Sequence, residues 1–294
     1  MFDKKTLSEA DIRTKYITPA IVKAGWDSIT QMREEYNVTK GRIIARGKSC
    51  KREAPLKADY VLFYKPNKPI AIIEAKDNKH TMSDGMQQAL QYASMMNVPF
   101  VFSSNGDGFV FHNKYITEGD VEITLSLDEF PSPETLWQMY LEKNNVSPAQ
   151  EKIIDEPYFS DNPDKQPRYY QMNAINKTVE AISGGQDRVL LVMATGTGKT
   201  RVAVGLSYRL IKSNRFRRIL FLTDRRTLAE QAGDDFDDYK IENFNTFADI
   251  YKINKLGKQD TEVETRIQFA TVQSMVKRLF YATDEKKNQL SIKN

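Results

Sequence analysis

The chain has 294 residues, of which 40% are hydrophobic and 28% charged, a globular composition long enough for about two domains. Its net charge of +4 allows a nucleic-acid partner without requiring one. The single cysteine, Cys50, excludes an internal disulfide and suits a reducing cytoplasm, and the two histidines argue against a zinc finger or multi-histidine metal site. Because the N-terminus lacks a signal-peptide apolar region and no apolar run reaches membrane-spanning length, we expect a soluble, cytoplasmic protein with no membrane partner.

Residues 1–146 predict an α/β domain with a partly antiparallel sheet. Ser8 and the acidic residues after it begin a helical pattern over 7–24. A proline-containing segment, 65–69, predicts a tight turn between two apolar runs, and a basic loop is expected at 48–57. The other elements follow the apolar periodicity: a helix at about 83–96, and strands at 41–45, 60–64, 70–75, 100–103 and 109–112.

Residues 147–167 predict a linker between two domains, because they are rich in proline, asparagine and acidic residues and show little periodicity. A short helix is expected before them, within 131–145. Residues 168–294 then alternate between helices and strands, which is typical of a doubly wound parallel sheet. The expected helices lie at 170–183, from 199 onward and at 226–237, and the expected strands at 189–193, 219–222 and 267–271.

A phosphate-binding loop follows the first strand of the second domain. The apolar run 189–193 leads into the sequence A-T-G-T-G-K-T, which opens a helix. Such a loop turns its backbone N–H groups toward phosphates, while its lysine reaches the terminal ones and its last threonine ligates Mg²⁺. Met193 stands where the strict pattern has glycine, so the loop matches the helicase form. A glycine-rich turn that merely carries a lysine is the alternative. The residues predicted to bind ATP here are Thr195, Gly196, Thr197, Gly198, Lys199 and Thr200.

Two carboxylates and a lysine converge on the hairpin of the first domain. Glu74 and Lys76 are two residues apart on one strand, so their side chains share a face. If the turn is centred near 66–67, Asp59 lies opposite Glu74, or opposite Ala75 after a one-residue slip. Facing carboxylates repel unless a cation lies between them, and Mg²⁺ prefers oxygen ligands. We therefore predict a hydrolytic nuclease site in which Lys76 orients or deprotonates a water; an edge hairpin with ordinary solvated charges is the alternative.

These segments resemble known families. Residues 59–62, 73–76 and 88–92 resemble the PD-(D/E)xK nucleases with the RecB-type QxxxY element. Residues 8–26 resemble the opening of the restriction (R, or motor) subunit of type I restriction–modification enzymes. The resemblance implies a PD-(D/E)xK nuclease-like fold for residues 1–146. The sequence departs from the family at Ala58, which replaces the proline of the motif.

The resemblance also assigns roles to residues outside the hairpin. Gln88 and Tyr92, which share one helix face, would help to position DNA or the site. Glu9 would supply a further acidic group near the metal ion that Asp59 and Glu74 would bind. Glu34 or Glu35 could take the place of Glu9, whose other interpretation is helix-start chemistry.

Three segments of the second domain resemble motifs of superfamily 2 helicases. Residues 168–171 resemble the Q-motif, 222–231 resemble the next motif, and 270–274 resemble the following DNA-contact element. Loop arginines at the carboxyl end of a parallel strand suit contact with DNA phosphates. The resemblance implies a first RecA-like helicase domain. The residues it would use are Gln171 at the adenine and Arg225, Arg226, Thr271 and Gln273 at the DNA.

An acidic D-E-x-H strand end, which would hold Mg²⁺ and orient the attacking water, is not found in the sequence. The pair Asp284 and Glu285 is polar on both sides and follows no apolar strand, so we do not assign it this role. We therefore expect the N-terminal part of a longer motor subunit, with no ATPase activity of its own.

Taken together, the resemblances imply Mg²⁺-dependent DNA cleavage that is coupled, in the full-length protein, to ATP-driven translocation. The partners that the resemblance implies are double-stranded DNA and the modification (methyltransferase) and specificity subunits of a type I enzyme. Two alternatives are a nuclease–helicase of DNA repair and a non-catalytic DNA- or nucleotide-binding adaptor. The presence of Asp59, Glu74 and Lys76 argues against the adaptor.

Overall fold

The computed structural model describes residues 3–39, 43–46, 49–52, 54–158, 166–243, 245–255 and 263–281. Several expected features lie outside these ranges: the strand start at Gly41, residues 48 and 53 of the basic loop, part of the linker at 159–165, and the pair Asp284 and Glu285. The chain divides into two compact units, one of Met1–Glu151 with Pro167–Asn173 and one of Lys152–Gln166 with Ala174–Asn294. Within the described ranges, no helix has the length and apolarity needed to cross a bilayer.

The first unit is a mixed α/β structure built on one large sheet. Its strands are β1 (Met32–Thr39), β2 (Ile43–Arg46), β3 (Ser49–Arg52), β4 (Leu56–Lys65), β5 (Lys68–Ala75), β6 (Phe100–Ser104), β7 (Gly108–Asn113) and β8 (Glu122–Ser126). Six of them form a sheet in the order β1-β4-β5-β6-β7-β8, in which the β5–β6 pair is parallel and the other pairs are antiparallel. β2 and β3 pair separately as an antiparallel hairpin.

Helices cover both faces of this sheet. They are α1 (Glu9–Ile12), α2 (Thr18–Lys23), α3 (Met86–Met96) and α4 (Pro133–Lys143). Because successive side chains of a strand point to opposite faces, Val61, Ile72 and Val101 pack in one cluster with α3. On the other face, Tyr64 stacks on Trp137 of α4 at a centroid distance of 4.5 Å. The apolar run of β5 is therefore buried on both sides, which explains its unbroken hydrophobic sequence.

The predicted first helix is interrupted by a wider turn. Its start is the predicted one, since Ser8 and Asp11 form a capping box at α1. Arg13–Ile17 then form a π-helical turn, in which the N–H of Thr18 donates to the carbonyl of Arg13. Pro19 has no N–H to continue the regular ladder, and a π turn is one way to absorb such a break. The interruption matters for the site because Arg13 is buried within it.

Three strands of the first unit were not predicted. β1 and β8 are the two edges of the sheet and are mostly exposed, with side chains that alternate poorly in polarity. β3 lies within the segment expected to be a basic loop. Edge strands are held by backbone hydrogen bonds to one neighbour, so they need no apolar pattern and give a weak sequence signal.

The rest of the chain alternates helices with short strands. The elements are α5 (Pro148–Ile154), α6 (Tyr169–Ser183), α7 (Lys199–Lys212), β9 (Ile219–Thr223), α8 (Arg226–Asp238), β10 (Lys240–Glu242), β11 (Asn245–Thr246), α9 (Phe247–Ile250), β12 (Ile253–Asn254), β13 (Ile267–Thr271) and α10 (Val272–Phe280). β12, β13 and β9 form a parallel sheet in that order, with Ile267 opposite Ile219. The core of this unit includes Val202, Phe236 and Phe269.

The expected strand at 189–193 was wrong. These residues form no strand, and Leu190 and Val192 are 86% and 87% exposed. A strand requires a neighbour for its backbone N–H and C=O groups, and the described residues provide none for this segment. In the same part of the chain β9 pairs on one side with β13, while its Leu220 and Leu222 stay exposed. An apolar run thus predicts the capacity for burial but not the presence of a partner strand.

The segment 147–167, predicted to be an irregular linker, contains the helix α5. The N–H of Ser147 donates to Oε1 of Gln150 at 2.8 Å, and the N–H of Gln150 donates to Oγ of Ser147 at 3.4 Å. This reciprocal capping, with Pro148 at the first helical position, is a helix-start signal that the proline-rich composition concealed.

Candidate active site

The open end of the β4–β5 hairpin brings together the three predicted nuclease residues. Tyr60 pairs with Ile73, so Asp59 and Glu74 are the next residues outward on the two strands. The N–H of Ala75 donates to Oδ2 of Asp59 at 2.8 Å, and Nζ of Lys76 lies 3.3 Å from Oε1 of Glu74. Two carboxylates and an ammonium therefore occupy one end of one hairpin.

Burial makes this cluster electrostatically costly. The side chains of Asp59 and Glu74 are only 13% and 3% exposed, and Oε2 of Glu74 is buried with no hydrogen-bond partner. Desolvation, followed by the negative charge of Asp59, raises the pKa of Glu74 to about 8, although Lys76 acts in the opposite direction. A buried carboxylate with an unpartnered oxygen beside a second carboxylate is suited to an oxygen-binding cation.

A cation here would have two carboxylates as its protein ligands. Within the described residues, no three His, Cys, Asp or Glu side chains already converge as a complete metal-binding group. Mg²⁺ commonly binds through one or two carboxylates and completes its octahedral shell with water and substrate phosphate oxygens. The donor set of Asp59 and Glu74 therefore fits Mg²⁺.

The three glutamates considered as a third acidic group beside Asp59 and Glu74 have different contacts in the structure. Partial burial and the charge of Asp59 raise the pKa of Glu9, while the charge of Lys76 lowers it, so Glu9 lies within electrostatic reach of the hairpin cluster. Glu34 and Glu35 instead contact Arg13: Oε2 of Glu34 lies 3.1 Å from Nη2, and Oε1 of Glu35 contacts Nη1.

The predicted pair Gln88 and Tyr92 lies on α3. Nε2 of Gln88 donates to the hydroxyl of Tyr92 at 3.0 Å. Tyr92 is buried in the core against β4 and β5, whereas Gln88 is exposed. The tyrosine thus anchors the helix and holds the amide of Gln88 at the surface.

Gly85, which is not among the predicted site residues, packs directly against Glu74. It is the N-cap residue of α3, and its N–H donates to Oγ of Ser103 at 3.1 Å. A Cβ added at Gly85 would lie 2.8 Å from Oγ of Ser103 and 3.0 Å from Cγ of Glu74. In the sequence, Gly85 is only a glycine before a helix. Its contact with Glu74 and Ser103 joins three elements that are distant in sequence, so the sequence did not indicate it.

Replacing Gly85 with alanine is therefore expected to push the Glu74 side chain away from its position and to lower DNA cleavage by about ten- to a hundredfold. The measurement is single-turnover cleavage by the complete restriction enzyme containing this chain. Gly184→Ala is the matched control, because an added Cβ there meets nothing closer than 3.4 Å. Equal cleavage by both variants would mean that the contact has no role in placing Glu74.

The phosphate-binding loop has the backbone that its glycines predict. Gly196 and Gly198 have φ angles of +77° and +85°, which favour glycine, and α7 begins at Lys199. Nζ of Lys199 donates to the carbonyls of Met193 and Ala194, both at 3.2 Å. The remaining predicted residues differ in exposure: Thr195 is exposed, whereas Thr197 and Thr200 are partly buried.

The predicted DNA-contact residues lie at the carboxyl ends of the strands of the parallel sheet. Thr223 at the end of β9 pairs with Thr271 at the end of β13, so the segments that follow both strands leave the sheet on the same side. Arg225 and Arg226 are exposed there, and Arg226 bonds to Glu230 at 2.9 Å. Gln273 is exposed, and Thr271 caps α10 through the N–H of Ser274 at 3.2 Å.

Gln171, the predicted adenine-contacting residue, has a structural contact of its own. It is buried, and its Oε1 accepts a hydrogen bond from the N–H of Arg168 at 2.9 Å. The contact belongs to the start of α6 in the first compact unit.

Comparisons with known proteins agree with both sets of motifs. The family model for the N terminus of the type I restriction enzyme R protein matches residues 44–119. The family model for the res subunit of type III restriction enzymes matches residues 164–294.

Curated relatives and a solved structure extend this match along the chain. The EcoAI endonuclease subunit of Escherichia coli, a type I restriction enzyme, is 51% identical over 226 residues, covering 76% of this chain and 28% of the relative. The EcoKI endonuclease subunit of E. coli K12 is 33% identical and covers 94% of this chain and 27% of the relative. A solved fragment assigned to an HsdR subunit of a type I restriction enzyme from Vibrio vulnificus YJ016 is 30% identical, with a TM-score of 0.70, covering 92% of this chain and 48% of that one.

This chain spans somewhat more than a quarter of the length of the two curated relatives. The similarity nevertheless includes both the hairpin cluster and the phosphate-binding loop. The chain belongs to the family of type I restriction enzyme R subunits.

Proposed function

We propose that this chain carries the Mg²⁺-dependent endonuclease site and the ATP-binding loop of a type I restriction enzyme. Residues 1–146 would form a PD-(D/E)xK nuclease-like domain, 147–167 a linker, and 168–294 the first RecA-like domain of the translocase. The relatives are endonuclease subunits of type I enzymes, which favours restriction over DNA repair or an adaptor role. Double-stranded DNA and the modification and specificity subunits would be its partners, in the cytoplasm.

The observation that carries the nuclease proposal is the unpartnered oxygen of Glu74. Oε2 is buried without a hydrogen bond, at the point where Asp59 adds a second negative charge. Leaving a buried polar oxygen unsatisfied costs free energy, and a cation between the two carboxylates would remove that cost. Asp59 and Glu74 would hold Mg²⁺, and Glu9 would assist from α1, which the influence of Asp59 and Lys76 on the pKa of Glu9 supports.

The residues around the cation would divide the hydrolysis among them. A bound Mg²⁺ would supply charge neutralisation at the phosphodiester and would acidify a water. Lys76, whose Nζ lies 3.3 Å from Oε1 of Glu74, would orient that water and help remove its proton. The N–H of Ala75 fixes Oδ2 of Asp59 at 2.8 Å, so the backbone of β5 sets the direction of this carboxylate. Gln88, held by Tyr92, would contact the DNA.

The second unit would couple ATP to DNA movement. Lys199 would bind the terminal phosphates and Thr200 the accompanying Mg²⁺. The exposed Arg225, Arg226 and Gln273 would contact the DNA backbone, with Thr271 at the carboxyl end of the neighbouring strand. Phosphate contacts of this kind give a grip that does not depend on sequence, as a translocase requires.

Replacing Lys76 with methionine tests the nuclease proposal. We expect DNA cleavage by the complete restriction enzyme to fall by about a hundredfold or more, because a group that orients and deprotonates the water is lost. ATP hydrolysis by the same enzyme should be unchanged, since Lys76 belongs to the hairpin. Cleavage is measured on a plasmid with one recognition site.

Lys79→Met is the matched control for this experiment. Lys79 lies in the loop after β5, close to Lys76 in the sequence, and is exposed, so its replacement removes the same charge from a neighbouring position. Normal cleavage by Lys76→Met would refute the assignment of Lys76. An equal loss in both variants would point to a general effect of positive charge rather than to this site.

A further inference from the structure

Arg13 is the centre of a charged cluster beside the proposed cleavage site. Its side chain is only 10% exposed, and its guanidinium carbon lies 5.0 Å from the centroid of the Tyr60 ring. It faces three carboxylates, those of Glu34, Glu35 and Asp59. An arginine this deeply buried is placed to organise its neighbours rather than to meet a ligand in solvent.

The contacts of Arg13 with the three carboxylates are unequal. Nη2 lies 3.1 Å from Oε2 of Glu34, and Nη1 contacts Oε1 of Glu35 directly. Oδ1 of Asp59 lies 3.6 Å from Nη1, which is beyond a normal hydrogen bond. The guanidinium is therefore drawn toward β1, and it faces Asp59 without closing onto it.

Glu35 has a backbone conformation that is unfavourable for glutamate. Glu34 pairs with Tyr60 and Tyr36 with Ala58, so Glu35 lies across from Asp59. Its φ angle of +52° is in the left-handed region, which asparagine adopts far more readily than glutamate. Backbone geometry alone would thus favour another residue, whereas the carboxylate of Glu35 bonds both Arg13 and Lys57.

We propose that Arg13 and Glu35 are positioning residues of the cleavage site, in which Glu35 holds the guanidinium on β1 and keeps Oδ1 of Asp59 available to a cation. This inference rests on the proposed nuclease function. A guanidinium released from Glu35 would form a charge-assisted pair with Asp59 and would compete with the cation for the same oxygens. Glu34 retains the other side of the fork, so Arg13 stays in place beside Asp59.

The test is the variant Glu35→Asn, which removes the carboxylate but suits the left-handed backbone. We expect Mn²⁺ to bind this chain about three- to tenfold more weakly in an electron paramagnetic resonance titration. The Mg²⁺ concentration for half-maximal cleavage by the complete restriction enzyme should rise by a similar factor. Glu118→Asn, at an exposed loop position, is the control for loss of one negative charge.

A second substitution distinguishes action through Arg13 from direct action by Glu35. Glutamine at position 13 in the Glu35→Asn background (Arg13→Gln) should restore Mn²⁺ binding, because no guanidinium is left to pair with Asp59. Arg13→Lys in the same background should restore it in part, since an ammonium lacks the bidentate fork. Restoration by either double variant supports the proposal.

Two outcomes would overturn it: unchanged Mn²⁺ affinity in folded Glu35→Asn, or a loss that neither double variant recovers. Asp59→Asn reports separately on the proposed function. If Asp59→Asn still binds Mn²⁺ and supports cleavage, the nuclease site is wrongly assigned, whatever Glu35 does.

Discussion

Replacing Glu74 with glutamine is expected to abolish DNA cleavage and, at the same time, to make the chain more stable at pH 8. The amide keeps the size of the side chain but removes a ligand charge from the pair formed with Asp59. If several kcal/mol of metal-derived stabilisation are lost, cleavage should fall by about a thousandfold or more. The measurement is cleavage by the complete restriction enzyme, with ATP hydrolysis as the internal control for assembly.

The stability gain follows from the pKa of Glu74. Desolvation and the charge of Asp59 raise this pKa from 4.5 to about 8, so the folded state disfavours the charged form. In the unfolded chain the carboxyl ionises near pH 4.5, whereas in the folded chain it ionises only near pH 8. The native protein therefore loses stability as pH rises between these values, by on the order of 4 kcal/mol, since each pH unit in this interval costs about 1.4 kcal/mol.

Glutamine cannot ionise, so Glu74→Gln escapes that loss. Without added metal, the difference in free energy of unfolding between Glu74→Gln and the native chain should be small at pH 4.5 and largest at pH 8. Urea unfolding measures this difference. Mg²⁺ should reduce the difference at pH 8, because it stabilises the native carboxylate pair. Glu118→Gln is the control. Lost cleavage without a pH-dependent stability gain would leave the role of Glu74 intact but refute the electrostatic account of its burial.

The free-energy cost of burying Glu74 explains why the sequence could indicate this candidate site. A carboxylate that ends an apolar strand is costly to bury, so its presence at position 74 is itself a signal. The turn at 65–69 fixed the pairing of the hairpin well enough to place Asp59 beside Glu74. The supporting contacts of Gly85 and Arg13 gave no such signal, because they join segments that are distant in sequence.

The elements that could be predicted differ in their packing from those that could not. β4, β5 and α3 carry apolar side chains in register with the sheet and its covering helix, and their periodicity predicts them. β1 and β8 depend on backbone pairing at the sheet edges, which side-chain polarity does not report. The prediction of a strand at 189–193 was wrong for the opposite reason. The side chains of this segment suit a buried strand, but no described strand pairs with it. Periodicity therefore predicts which surfaces can be buried. Predicting which surfaces are buried also requires knowing which strands pair.

Replacing Lys199 with alanine is expected to remove ATP hydrolysis by the complete restriction enzyme, with a loss of about a hundredfold or more. Nζ of Lys199 is held by the carbonyls of Met193 and Ala194, each at 3.2 Å. These neutral acceptors hold the ammonium within the loop, where a phosphate would replace them with a stronger, charge-assisted contact. Alanine leaves the glycine backbone intact but removes the charge that the phosphate requires.

The Lys199→Ala enzyme should also fail to cleave, although its hairpin cluster is unchanged, if cleavage depends on translocation. Glu74→Gln should show the reverse pattern, with ATP hydrolysis retained and cleavage lost. Lys177→Ala, at an exposed lysine of α6 paired with Glu180, is the control for removal of one positive charge. Cleavage that survives in Lys199→Ala at the native rate would separate the two units functionally and would refute their proposed coupling. The two variants together thus test both the assignment of each site and the order in which they act, because only a motor that drives the nuclease produces this asymmetry.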